Sequence, residues 1–109
     1  MDSLSDILSA AIGERRVVEI HYGRETSPRK VAPHALFRTA SGHLLLSGVE
    51  MADPALGWDA YRPKNYDLRQ LTAAAVTDHR FTPDPAFDPA DRRFRHGIVR
   101  TVPLDAGER

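Results

Sequence analysis

The chain has 109 residues and a formal net charge of zero, which fits a single domain and argues against a protein that coats DNA through bulk positive charge. Its 41% hydrophobic and 28% charged residues are typical of a globular domain and exclude a disordered chain. The absence of cysteine excludes disulfides and thiol chemistry and is in keeping with a reducing compartment. Because no signal peptide or membrane-length apolar run is present, we expect a cytoplasmic protein without membrane contact.

The first predicted element is a helix from 3 to 14. Ser3 can cap its start, with Asp6 three residues later as in a capping box. Gly13, followed by two arginines, is the expected stop. Five apolar residues recur at helical spacing and form one stripe that must pack on the rest of the domain: Leu4, Ile7, Leu8, Ala11 and Ile12.

The chain that follows predicts about five strands. Val18, Ile20 and Tyr22 alternate with polar residues, as in a half-buried strand. A short strand at 29–32 meets Pro33, which suits an edge or a bulge. The strand at 43–50 is apolar on both faces at 44–46 and is therefore expected to be central. The remaining expected elements are strands at 35–39, 61–68 and 71–77, turns at 23–28 and 40–42, and a loop at 51–60.

The stretch 71–77 is ambiguous, because its alanines favour helix while Val76 and Thr77 favour strand. We interpret it as a strand, because the neighbouring elements are strands. Together these elements predict a mainly β domain with one N-terminal helix, either a small barrel or a strongly bent sheet.

The composition changes at Phe81, from where prolines alternate with phenylalanines. We expect a domain over 1–82, followed over 83–109 by a strap and, after His96, a loose tail. The strap is expected to be anchored by Phe81, Phe87 and Phe94, and Asp88 is expected to cap a short helix within it.

No constellation for catalysis is visible, so we expect neither an enzyme nor a cofactor. The chain has no glycine-rich loop that opens a helix and no nucleophile elbow. The five histidines lie in separate predicted strands and loops, without the spacing of a metal site: His21, His34, His43, His79 and His96.

A group of aromatic and basic residues on the predicted strands is the one feature that indicates binding. The group consists of Tyr22, Arg29, Arg38 and the run 61–66, YRPKNY. Aromatic rings provide stacking surfaces for bases, and arginine provides paired donors for phosphate, as in small barrels that bind single strands. The alternative for Tyr22 and Tyr66 is a plain packing role.

In the order of these signals the chain resembles the WYL domain family. Four stretches carry the resemblance: IGERRVVEIHY at 12–22, RKVAPHAL at 29–36, GHLLLSG at 42–48 and KNYDLRQL at 64–71. It rests mainly on Tyr22, Arg29, Pro33 and Leu46. The chain departs from the family at 44–45, where two leucines replace the Trp-Tyr pair, and at 70, where glutamine replaces arginine.

The resemblance implies an Sm-like, SH3-type barrel that senses a nucleotide or short single-stranded nucleic acid, as in bacterial transcription regulators. It places ligand contacts at Tyr22, Arg29 and Lys64, with Arg62 as a further contact and His43 at the border. Since no DNA-binding helices precede the first helix, we expect a free-standing domain. The alternative is a protein-interaction or self-association module with a degenerate ligand site, because an exposed sheet edge can pair with another chain.

Overall fold

The computed structural model describes residues 3–51 and 62–104, except for the side chain of Arg62. The predicted loop at 51–60, apart from Met51, lies outside the described residues, as does Tyr61. Among the described residues, no helix has the length and apolar character needed to cross a membrane.

The predicted N-terminal helix is confirmed as α1, Leu4–Glu14. Ser3 caps it and forms a capping box with Asp6, which satisfies backbone donors that the first turn leaves unpaired. The predicted end at Glu14 is confirmed, and the residue that leaves the helix in the left-handed conformation (φ 57°) is Arg15 and not Gly13. Gly13 instead makes room for Arg100, because a Cβ at position 13 would lie 2.0 Å from the Arg100 Nη2.

In the described part of the chain, six antiparallel strands form one sheet. They are β1 (Arg16–Tyr22), β2 (Arg29–Arg38), β3 (Leu44–Met51), β4 (Arg62–Asp67), β5 (Leu71–Arg80) and β6 (Ile98–Thr101). The order is β4-β3-β2-β1-β5, and β6 pairs with β2. The mainly β fold with one N-terminal helix is thereby confirmed, as are the central position of β3 and the assignment of 71–77 to a strand. The barrel is not formed, because β4 and β5 end the order of the described strands without pairing with each other.

A bulge interrupts β2 near its middle. The stretches 29–32 and 35–39, expected as separate strands, belong largely to one strand, whose register shifts between Pro33 and Ala35. Before the bulge β2 pairs with β1, and after it the same edge pairs with β6. Pro33 has no N–H to donate to a ladder, so the bulge is where β2 can change partner without losing a hydrogen bond.

The strap packs on the sheet through its aromatic residues, as expected. Phe81 and Phe94 are buried and Phe87 is partly buried. The predicted cap at Asp88 is wrong, because the short 3-10 helix spans Arg92–Phe94 and is capped by Asp91. The expectation of a loose tail after His96 is also wrong for the described residues, since β6 pairs with β2. The division into 1–82 and 83–109 stays a prediction.

Two apolar clusters hold these elements together. The larger lies between α1 and the sheet and includes Leu8, Ile12, Val18 and Leu36, each fully buried. A smaller one joins β2 to the strap through Phe37 and Phe94, whose rings meet edge to face with centroids 4.9 Å apart. Both faces of β2 are therefore covered, in agreement with its buried run from Val31 to Phe37.

Candidate functional site

Side chains from four neighbouring strands meet at one end of the sheet. In an antiparallel sheet the end of β1, the start of β2, the end of β3 and the start of β4 lie at the same end of the sheet. This places Tyr22, Arg29, Glu50 and Lys64 together, although Tyr22 and Lys64 lie more than forty positions apart in the chain. We call these four residues, with Glu25 and Tyr66, the Glu50 cluster.

Glu50 is the centre of this cluster. Its Oε1 accepts three hydrogen bonds: from the Tyr66 hydroxyl (2.7 Å), from Arg29 Nη1 (2.9 Å) and from Lys64 Nζ (3.2 Å). Burial alone would raise the pKa of Glu50, but the hydrogen bonds from Tyr66 and Lys64 and the charge of Arg29 hold this pKa below its ordinary value. The Glu50 side chain is therefore ionised near neutral pH.

Arg29 is held by a second carboxylate from the turn between β1 and β2. Its Nε donates to Glu25 Oε1 (2.7 Å), and its Nη2 pairs with Glu25 Oε2, so the contact has the two-pronged form that guanidinium groups make with carboxylate or phosphate. The hydrogen bond to Glu25 raises the pKa of Arg29 and lowers that of Glu25. The positive charges of Arg29 and Lys64 are therefore balanced within the cluster by the carboxylates of Glu25 and Glu50.

Two tyrosines form the aromatic part of the cluster. The rings of Tyr22 and Tyr66 meet edge to face with centroids 5.4 Å apart, and the Arg29 guanidinium carbon lies 5.8 Å from the centroid of Tyr22, within the range of a cation–π contact. Tyr66 is fully buried while Tyr22 is half-buried. The packing role considered for both tyrosines thus fits Tyr66 best, and Tyr22 keeps part of its ring at the surface.

Three of the five predicted site residues come together in this cluster: Tyr22, Arg29 and Lys64. His43 does not, because it lies just before the opposite end of β3. Seven residues of extended chain separate it from Glu50, which corresponds to about 24 Å. There its Nε2 accepts a hydrogen bond from Arg69 (3.1 Å), and Arg69 in turn lowers the pKa of Asp67 to about 2 through a side-chain hydrogen bond. Arg62 begins β4, but its side chain lies outside the described residues.

The two carboxylates of the cluster were missed from the sequence. Glu25 lies in a turn and Glu50 near the end of a mostly apolar strand, and acidic residues are common at both places. The signal that was available is the register of the strands, since β3 and β4 pair Glu50 with Arg62 and place Lys64 two residues further along. That register needs the fold and cannot be read from local patterns.

His34, the second histidine of the sequence, is a buried core residue. It is 1% exposed, its Nδ1 donates to the Ala32 carbonyl (2.8 Å), and its Nε2 accepts from the Asp84 backbone N–H (2.9 Å). Burial lowers its pKa, so the ring is neutral and joins β2 to the strap.

Comparison with known proteins yields a likeness in structure. No protein-family model matches the sequence, and no curated protein matches it. The structure resembles part of proteasome accessory factor B/C (PafBC) of Arthrobacter aurescens, with a TM-score of 0.60 and 20% sequence identity over 77% of this chain. The match covers 13% of that protein, so this chain spans a small part of its length. At this level of identity the likeness shows a shared fold.

Proposed function

We propose that the chain is a non-enzymatic sensor domain of WYL type that binds a nucleotide or a short single-stranded nucleic acid at the Glu50 cluster. The observation that carries the proposal is the meeting of Tyr22, Arg29 and Lys64 from three different strands at one end of the sheet. Its regulatory setting is what the resemblance to WYL domains implies, and the fold is shared with part of PafBC.

In this proposal the carboxylates take the places of ligand phosphates. The two-pronged contact of Arg29 with Glu25 has the geometry that the same arginine would make with a phosphate group. Glu25 lies in an exposed turn, so it can move into solvent at little cost when a ligand enters. The exposed part of the Tyr22 ring would then stack on a base, a contact worth about 1–3 kcal/mol per base.

The proposal is tested by fluorescence anisotropy of a labelled twelve-nucleotide single strand of mixed sequence, at low and moderate salt. Removing the charged contact in Arg29→Gln should weaken binding by roughly tenfold or more, since a hydrogen bond between charged groups is worth about 1.5–3 kcal/mol. Arg38→Gln removes the same charge at the far end of β2 and is the matched control, with affinity close to wild type.

Two results would contradict the proposal. One is the absence of binding at low salt, where phosphate contacts are strongest. The other is an equal loss in Arg29→Gln and Arg38→Gln, which would indicate a diffuse charge effect without a site.

Self-association is a second candidate function, which the edge of β5 favours. Among the described strands, β5 has a partner on one side, and its stretch 72–77 contains neither a charged residue nor a proline, the usual protections of an edge. Val76 is 42% exposed there. Light scattering should then find a dimer that Val76→Lys converts to a monomer, whereas a wild-type monomer at high concentration would rule this candidate out.

A further inference from the structure

A cavity of about 170 Å³ lies between the strap and the sheet. Its floor includes His34 of β2 with Ser47 and Val49 of β3, and its walls include Phe87 and Phe94 of the strap. Because side chains alternate along a strand, Ser47 and Val49 lie on the face of β3 opposite to Glu50. This strap cavity is therefore separate from the Glu50 cluster, and the proposed function does not use it.

Two buried polar side chains, Ser47 and His34, lie at the floor of the strap cavity. Apart from tyrosine, they are the buried polar residues of the described part of the chain. Ser47 is 4% exposed and His34 is 1% exposed. A polar group is costly to bury unless it forms hydrogen bonds. His34 is held by Ala32 and Asp84, as described above, so its ring forms a rigid part of the floor. The hydroxyl group of Ser47 lies at the same floor and can both donate and accept a hydrogen bond.

The size and the walls of the cavity fit an aromatic ring. Phe87 stands between the two other rings, with centroids 5.2 Å from that of His34 and 5.9 Å from that of Phe94, within the range of favourable aromatic pairs. An apolar cavity of roughly 150 Å³ in another protein is large enough to bind benzene. The strap cavity is slightly larger and includes a hydroxyl group.

The charges at the cavity indicate which rings it would accept. Asp84 and Asp88 line it, and each carboxylate is fixed by accepting a hydrogen bond from a backbone N–H two residues later (3.0 and 2.9 Å). Arg93 also lines it, but its Nε lies 3.3 Å from a carboxylate oxygen of Asp91. The surroundings are thus negative overall, which disfavours an anionic ligand.

We propose that the strap cavity is a second binding site, for a single small aromatic ring that is neutral or cationic and has a hydrogen-bonding group. The ring packs against Phe87, Phe94 and Val49, and its polar group reaches the Ser47 hydroxyl. Binding there joins the strap to β3 and stabilises the packing of residues 84–94 on the sheet.

The site is tested by two-dimensional amide NMR of the full chain, titrated separately with phenol, benzamidine and benzoate. Phenol and benzamidine should give saturable shifts at Ser47 and Phe87, with a Kd on the order of 1 mM for ligands of this size. Benzoate should bind at least tenfold more weakly. Shifts that do not saturate, or that are strongest at the Glu50 cluster, would overturn the proposal.

A pair of matched variants locates the site. Ala86 lines the cavity, whereas Ala90 lies in the same strap outside the lining, and both are exposed. Ala86→Leu should occupy the cavity and weaken phenol binding by about tenfold or more, since a ring and the added side chain compete for the same volume, and Ala90→Leu should leave the affinity unchanged. Equal affinities in the two variants would overturn the proposal.

A third variant tests the hydroxyl without changing the walls. Ser47→Ala should weaken phenol binding by roughly threefold to tenfold, the effect of one lost hydrogen bond, while benzene binds as in the wild type. An unchanged affinity for phenol would contradict the role assigned to Ser47.

Discussion

Removing the Tyr66 hydroxyl tests whether the Glu50 cluster stabilises the fold. In Tyr66→Phe the buried ring stays, but Glu50 loses its shortest hydrogen bond (2.7 Å). A hydrogen bond to a charged group contributes about 1.5–3 kcal/mol. Because the Glu50 side chain is 29% exposed and keeps Arg29 and Lys64 as donors, we expect a loss at the lower limit, about 1.5 kcal/mol.

Urea denaturation and a thermal melt measure this loss. For a chain of this length, about 1.5 kcal/mol corresponds to a melting temperature lower by about 6 °C. The matched control is Tyr22→Phe, whose hydroxyl has no hydrogen bond among the described residues and whose ring still faces Arg29, so its free energy of unfolding should change by less than about 0.5 kcal/mol. Equal stabilities of Tyr66→Phe and wild type, or equal losses in both variants, would contradict a stabilising role of the Tyr66–Glu50 hydrogen bond.

Three further predictions concern other parts of the fold. Val102→Ala should cost about 2 kcal/mol, because Val102 is 1% exposed and two methyl groups leave the core; Val99→Ala, at a position 51% exposed, should cost little, and equal losses in urea would contradict the packing of the C-terminal segment. Since burial lowers the pKa of His34, the unfolded chain binds a proton below about pH 6.5 that the folded chain does not, so the free energy of unfolding should fall by up to about 1.4 kcal/mol per pH unit below that value. His34→Gln should flatten this slope, and an unchanged slope would contradict the assignment. Ser3→Ala should cost about 1 kcal/mol through loss of the helix cap, whereas Ser9→Ala within α1 should cost nothing; a melt that shows no difference between them would contradict the cap.

Local patterns were enough to predict most of the elements. The stripe of α1, its cap at Ser3 and the alternation in β1 depend on neighbouring residues only, and all three are present. The strand β6 could not be predicted in this way, since its four residues are partly buried or exposed and are held by pairing with β2, about sixty positions earlier. The closed barrel suggested by the family resemblance depends on long-range pairing in the same way, and the described strands do not form it.

Three of the six residues of the Glu50 cluster were among the site residues predicted from the sequence. Its cations and Tyr22 were visible because arginine, lysine and tyrosine on adjacent strands indicate binding chemistry and match a family pattern. The neutralising carboxylates were not visible, because their role depends on strand register and on one turn conformation. His43 lies apart from the cluster because a position next to a strand in the sequence does not determine which end of the sheet its side chain reaches.

The proposed function requires that the exposed Glu25 carboxylate occupies the place of a ligand phosphate beside Arg29. The most direct measurement is the affinity of the labelled single strand for Glu25→Gln, compared with wild type at the same low salt. Because this variant frees Arg29 from its exposed carboxylate partner and removes one negative charge, we expect tighter binding, by roughly threefold to tenfold. An affinity equal to or weaker than that of the wild type would contradict it and identify the pair Glu25–Arg29 as a structural contact.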